Sequence, residues 1–177
     1  MTEDFAAALV GLRQGMQVEL AGRLFYLDLA HRTTDPIGKG MFEQLANEEL
    51  EHLRIVSQEY QLIAQGKSWA ELNEVRANAA QAGEVPVFPE PGEPIVSLPP
   101  GATALQALEV AMDFERRGYD LYRKAATETP DFSGQAVYNY LAQQESRHFA
   151  ILQKSHEYLD KQGAWYFDDQ EKPIFEG

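Results

Sequence analysis

Apolar positions recur along this chain at helical spacing, and no stretch of useful length alternates as a strand would. From Phe5 to about Arg32, the residues Leu9, Leu12, Met16, Tyr26 and Ala30 fall on one face, which predicts one long amphipathic helix. The pattern breaks at Thr33-Thr34-Asp35-Pro36-Ile37-Gly38, and a second helix is predicted from about Gly40 to Gly66. Its buried side would be Phe42, Leu45, Leu53, Val56, Tyr60 and Ile63. Ser68 with Glu71 three residues on reads as a capping box, so a short helix is predicted from Trp69 to about Ala80. Six prolines between Gly83 and Gly101 predict an extended connection. Two more long helices follow, over about Ala102–Glu128 and Ser133–Gln162. The tail from Gly163 to Gly177 carries Trp165, Tyr166, Phe167 and Phe175, which predicts packing against the rest of the chain.

The turns inside each pair of long helices are short, so each pair should be an antiparallel hairpin. A bundle helix of about 28 residues is roughly 40 Å long, and about 18 extended residues can span that distance. The expected fold is all-α: an antiparallel four-helix bundle with one long crossover. It would be a single domain over residues 1–177, with hairpin one at 5–66, the short helix and Pro-rich crossover at 67–101, hairpin two at 102–162 and the tail at 163–177.

The two hairpins are copies of each other. Shifting the chain by 96 residues aligns 6–63 with 102–159, without gaps, and gives 17 identities in 58 positions. Chance would give about three or four at ordinary compositions. The matches include Glu19/Glu115, Gly22/Gly118, Tyr26/Tyr122, Asp35/Asp131, Gly38/Gly134, Glu49/Glu145 and His52/His148. Helical steps place Glu19 and Glu115 in the apolar stripes of the first and third long helices. The stripes of the second and fourth contain Glu49 with His52 and Glu145 with His148, at the i, i+3 spacing that shares one helix face. Four Glu and two His therefore point inward.

Unpaired buried carboxylates cost several kcal/mol each, against a net stability of only about 5–15 kcal/mol for a whole domain. Two imidazoles cannot neutralise four carboxylates, whereas two divalent cations can. Gly22 and Gly118, one turn beyond the first-helix and third-helix glutamates, would leave room near such ions.

One Glu from each of two helices plus Glu-x-x-His from each of the other two resembles the dinuclear carboxylate site of the ferritin-like superfamily, and the chain resembles its rubrerythrin-like branch over residues 5–160. The resemblance implies that Glu19 and His52 are terminal ligands of one metal, that Glu115 and His148 are terminal ligands of the other, and that Glu49 and Glu145 bridge them. It implies that Tyr26 and Tyr122 act beside the ligands, as hydrogen-bond partners or local reductants. Rubrerythrin has a further Glu one turn from its third-helix ligand. The matching positions here are Ala111, Met112, Gly118 and Tyr119, so the expectation is a symmetric six-ligand site more like that of bacterioferritin.

The implied cofactor is two iron ions per chain, with manganese or zinc also compatible with this donor set. The implied activity is that of a non-haem di-iron oxidoreductase reducing hydrogen peroxide or O2, a peroxidase or ferroxidase. The rival readings are an iron-storage protein, a dimanganese catalase and a non-catalytic bundle that binds a protein partner.

Composition narrows the partners. With 28 Asp and Glu against 15 Lys and Arg, the net charge is −13, which argues against nucleic acid or an anionic membrane surface. Cysteine is absent, so thiolate metal sites and disulfides are excluded, and the electrons expected from the resemblance would have to come from a separate donor protein. Neither a signal-peptide pattern nor a membrane-spanning run is present in the sequence, which makes the cytoplasm the default compartment. A homodimer is the default assembly. His31 and His156 lie outside the repeat matches and are expected at the surface or beside the ligands, Met16 and Met112 are expected to pack in the core, and Glu43, Glu48, Glu51 and Glu59 are expected to form a solvated acidic face.

Overall fold

A computed structural model describes residues 3–85 and 96–175, and these form five helices and no strand. The helices are α1 (Glu3–Arg32), α2 (Pro36–Ala64), α3 (Leu72–Gln81), α4 (Ala104–Glu128) and α5 (Phe132–Gln162). α1 packs along α2 and α4 along α5, and the two hairpins meet as a ferritin-like four-helix bundle. Most of the predicted Pro-rich crossover, residues 86–95, lies outside the described residues. None of the described helices is long and apolar enough to cross a membrane.

Helix α2 begins four residues earlier than the sequence pattern suggests. Asp35 caps it by accepting from the Ile37 and Gly38 amides, at 2.9 and 3.3 Å. Pro36 therefore occupies the first helical turn, where its missing N–H costs nothing. Proline here starts a helix instead of interrupting one. Asp131 does the same for α5 through Ser133 and Gly134. Thr33 and Thr129 bond back to the Leu29 and Ala125 carbonyls, so the repeated Thr-x-Asp closes one helix and opens the next.

The short helix also departs from expectation. It starts at Leu72, with Glu71 in the capping position but making no side-chain cap, and Ser68 and Trp69 lie outside it. The cause is a buried acid: the Glu59 carboxylate accepts the Ala70 amide at 3.2 Å and holds this strand of chain against the bundle. Trp69 is thereby turned onto Gly134 and Tyr138 of α5, with the Tyr138 ring 5.4 Å away.

The tail packs as expected. Trp165 lies on Gly38 and on Phe42 of α2, 5.8 Å between ring centroids. Phe175 sits 4.8–4.9 Å from Phe149 and Tyr119, and the Ile174 and Phe175 amides donate to Ser146. Trp69 and Trp165 are also 96 residues apart, beyond the stretch over which the repeat was aligned. Each therefore seals one end of the bundle by packing on the second helix of the other hairpin. A Cβ at Gly38 would lie 2.5 Å from the Trp165 ring, and one at Gly134 would lie 2.7 Å from the Trp69 ring, closer than any real contact. Gly38→Ala and Gly134→Ala should each lower stability by roughly 1–3 kcal/mol, read as a shift in urea midpoint at unchanged slope. Midpoints equal to that of the native chain would show that neither tryptophan seals an end.

Candidate metal centre

Each of the four long helices delivers a carboxylate to one plane across the bundle. Glu19 (α1), Glu49 (α2), Glu115 (α4) and Glu145 (α5) are at most 1% exposed, and His52 and His148 at most 2%. All six residues expected to face inward do so.

Their free atoms form two interlocking quartets. Glu19, Glu49, His52 and Glu145 each offer one ligand atom within 4.8 Å of the others, and so do Glu49, Glu115, Glu145 and His148. Glu49 and Glu145 belong to both quartets. The two oxygens of Glu49 face opposite ways: Oε2 is 3.9 Å from Nδ1 of His52, and Oε1 is 3.1 Å from Nδ1 of His148. On the outer sides, Nδ1 of His52 is 3.4 Å from Glu19 Oε2, and Nδ1 of His148 is 3.5 Å from Glu115 Oε2. The two imidazoles stack with centroids 5.4 Å apart.

Each of the six side chains has one buried atom without a hydrogen-bond partner: Glu19 Oε2, Glu49 Oε1, His52 Nδ1, Glu115 Oε2, Glu145 Oε1 and His148 Nδ1. Buried polar atoms are rarely left unsatisfied. Six such atoms converging on two points fit two cations, which would satisfy every one of them. Without a cation, the electrostatics are strained. Burial and the charge of Glu49 push Glu19 up to about 8, and burial with the charges of Glu115 and Glu49 pushes Glu145 well above the usual carboxylate range. Burial opposes charge on His52, but Glu19 and Glu49 prevail and hold it at about 9.

Two tyrosines and two glycines complete the centre. Tyr26 donates its hydroxyl to Glu115 Oε1, and Tyr122 donates to Glu19 Oε1, so each phenol crosses from one hairpin to the carboxylate of the other. Burial, with the same carboxylates, drives both phenols well above their ordinary range. A Cβ at Gly22 would lie 3.1 Å from Glu49, and one at Gly118 would lie 3.1 Å from Glu145, so both glycines leave space for the shared carboxylates.

Two of the acids expected on a solvated face are elsewhere. Glu48 accepts from Arg147 and lies 2.8 Å from Nε2 of His148, opposite the ring nitrogen that faces the cluster. Burial opposes its charge, but His148 first, then Gln44 and Arg147, hold Glu48 down at about 2. Glu59 is fully buried beneath Trp69 and Ala70. Glu48 was missed because it lies one residue off the Glu49–His52 face and meets Arg147 and His148 of α5 from the side, whereas Glu59, two turns after His52, shares the inward face that the spacing already marked. The half-exposed Glu43 and the partly exposed Glu51 do meet solvent. His31 is exposed, His156 is 3.5 Å from Glu109, and neither joins the cluster. Met16 is buried in the core, and Met112 packs at its edge.

A ferritin-like bundle with interlocking carboxylate and histidine quartets defines the class of helical carboxylate-bridged metalloproteins. A family model described as Rubrerythrin matches residues 11–156, and the chain belongs to the rubrerythrin family. No curated protein and no solved structure matches it. Family and cluster together point to a di-iron site.

The depressed Glu48 has a signed consequence. Its stabilising effect is complete above the ordinary carboxylate range near pH 4.5 and is lost as pH falls toward about 2. The stability gap between the native chain and Glu48→Gln, measured by urea unfolding, should therefore be widest above pH 4.5 and should close on acidification. A gap independent of pH would mean that the carboxylate charge does not hold His148.

Proposed function

We propose that this protein is a di-iron oxidoreductase that reduces hydrogen peroxide, or O2, with two ferrous ions. The observation that carries this reading is the set of six unpartnered atoms in two quartets sharing Glu49 and Glu145. Glu19 and His52 would hold one ion, Glu115 and His148 the other, and Glu49 and Glu145 would bridge them. Two ferrous ions so held supply the two electrons that, with two protons, convert one peroxide into two waters.

The chain's own residues do the rest. The four carboxylates balance two divalent ions, so the loaded centre is neutral where an empty one is strained. Tyr26 and Tyr122 occupy the second oxygen of each terminal carboxylate, which leaves the other oxygen aimed at the ion. Glu48 fixes the His148 ring with Nδ1 inward, the role a carboxylate behind a metal-bound histidine plays. The apolar residues around the cluster keep bulk water from it, so peroxide would meet the ions in a dry site. Electrons to restore the ferrous state would come from outside the chain, which contains no thiolate-bound iron.

The decisive measurement is metal content after anaerobic ferrous loading and desalting. The native chain should retain two irons, and Glu49→Ala/Glu145→Ala far fewer. Loading should also raise the unfolding free energy, read from the urea midpoint at unchanged slope, by about 2.7 kcal/mol for each ion bound when free metal is about a hundredfold above Kd. No iron in the native chain and no stabilisation on loading would sink this reading.

A further inference from the structure

The two ends of the bundle are copies, but they are not chemically equal. At one end the path inward from the surface runs Trp165, Phe42, Tyr26, Glu115. Its rings are 5.8 and 6.2 Å apart, and Tyr26 donates to Glu115. At the other it runs Trp69, Tyr138, Tyr122, Glu19, with rings 5.4 and 6.1 Å apart and Tyr122 donating to Glu19. Residue for residue these are matches of the 96-residue shift except at the middle ring, where Phe42 stands opposite Tyr138. Phe42 shows that a benzene ring packs there without a hydroxyl, at 1% exposure.

A second difference falls at the same end. Glu59, matched by Ser155 in the other copy, is fully buried with Oε1 unpartnered, and its charge is felt at the Tyr138 phenol. Burial, with the charges of Asp131 and Glu74 adding to it, raises Glu59 to about 7. A third difference is space. The cavity at this end, lined by Trp69, Tyr138, Tyr122, Phe5 and Lys124 among others, holds about 460 Å³, against about 210 Å³ for its repeat mate beside Trp165. A phenol and an indole can lose one electron under conditions a protein survives, whereas a phenylalanine ring cannot.

We propose that Trp69, Tyr138 and Tyr122 form a one-sided electron relay between the metal centre and the 460 Å³ cavity, where a single-ring phenol is oxidised as the reductant. The proposal rests on the di-iron reading above, in which peroxide is the oxidant. Tyr122 gives an electron to the oxidised centre and its proton to Glu19. Tyr138 then reduces Tyr122, passing its own proton to Glu59 while Tyr122 recovers the first. Trp69 reduces Tyr138, which takes its proton back from Glu59, and the phenol draws this step forward by reducing Trp69 and releasing its hydroxyl proton. Two passes give H2O2 + 2 ArOH → 2 H2O + 2 ArO•. Packing aromatic rings fill a core without any such chemistry, but packing does not explain why the buried hydroxyl, the buried acid and the larger of the two cavities all fall at one end.

The test begins without metal, so that it rules on the relay whether or not iron binds. In a Trp165→Phe chain, the metal-free protein is oxidised by flash-generated ruthenium(III) trisbipyridine, and the Trp69 indolyl radical is followed by its absorbance. It should decay as a tyrosyl radical appears, and adding Tyr138→Phe should slow that transfer more than tenfold. Tyr138→Phe installs the ring its repeat mate already carries, and the circular dichroism melt of each variant checks folding. A transfer rate unchanged by Tyr138→Phe overturns the relay. In the second arm, iron-loaded native chain and Tyr138→Phe are given peroxide with guaiacol as the phenol, with iron measured in the same samples. Guaiacol oxidation should fall more than tenfold per bound iron in the variant. Equal oxidation per iron overturns the proposal, whereas absence of iron from both chains overturns the di-iron reading and leaves the photochemical result to stand for the relay.

Discussion

Four carboxylates held out of reach of water set the terms for everything else in this bundle. Each is carried at the centre of an apolar helix face, where an unbalanced ion costs several kcal/mol. The fold answers with three devices. Two imidazoles are placed between the acids, two phenols donate to the outer ones, and six atoms are left converging without partners. The phenols matter to architecture as well as to charge. Tyr26 reaches from α1 to Glu115 on α4, and Tyr122 reaches from α4 to Glu19 on α1, so the polar bonds that satisfy the acids also lock the hairpins in register. A one-turn slip between hairpins would break both and leave two hydroxyls and two carboxylates stranded in the core.

Duplication explains why the ligand set is symmetric, and divergence explains why its surroundings are not. All six inward residues match across the repeat. Behind them, Glu48 supports His148, while the matching position behind His52 is Gln144. His52 instead meets the edge of Tyr140, which Arg76 covers at 4.4 Å, and the match of Tyr140 is Gln44, a partner of Glu48. A carboxylate behind an imidazole makes its far nitrogen a stronger donor to a cation. The two proposed metal positions therefore share a ligand list but differ in electron supply, and that difference was built from residues one layer out.

Much of this was legible in the sequence because periodicity is a statement about faces. The i, i+3 spacing of Glu49 with His52 and of Glu145 with His148 was enough to orient both pairs, and the internal shift made the inference twice over. What stayed hidden depended on segments whose position no periodicity encodes. Glu48 reads as solvent-facing until α5 is laid beside it, whereas Glu59, two turns after His52, shares the inward face, and only the segment before α3 that covers it lay beyond the pattern. Pro36 reads as a break because proline usually is one, and only the Asp35 cap turns it into a beginning. Trp69 and Trp165 carried a signal that extending the same 96-residue shift by a few positions would have exposed.

That last pair bears on how a sealed centre can exchange electrons at all. The same burial that makes the carboxylates call for a cation would keep large reductants from ions held among them. Glycines at Gly38 and Gly134 admit a tryptophan at each end of the bundle, and behind each tryptophan two further rings reach a terminal carboxylate. The repeat thus supplied two aromatic columns for structural reasons, as the plugs of a closed bundle. A single hydroxyl, on Tyr138 and not on Phe42, distinguishes a column that can only pack from one that can also conduct. Burying that hydroxyl and Glu59 together carries a desolvation cost that the Phe42 end avoids. A fold already burdened by four central acids has little stability to spare for two more buried polar groups, unless they serve the chemistry those acids exist to hold.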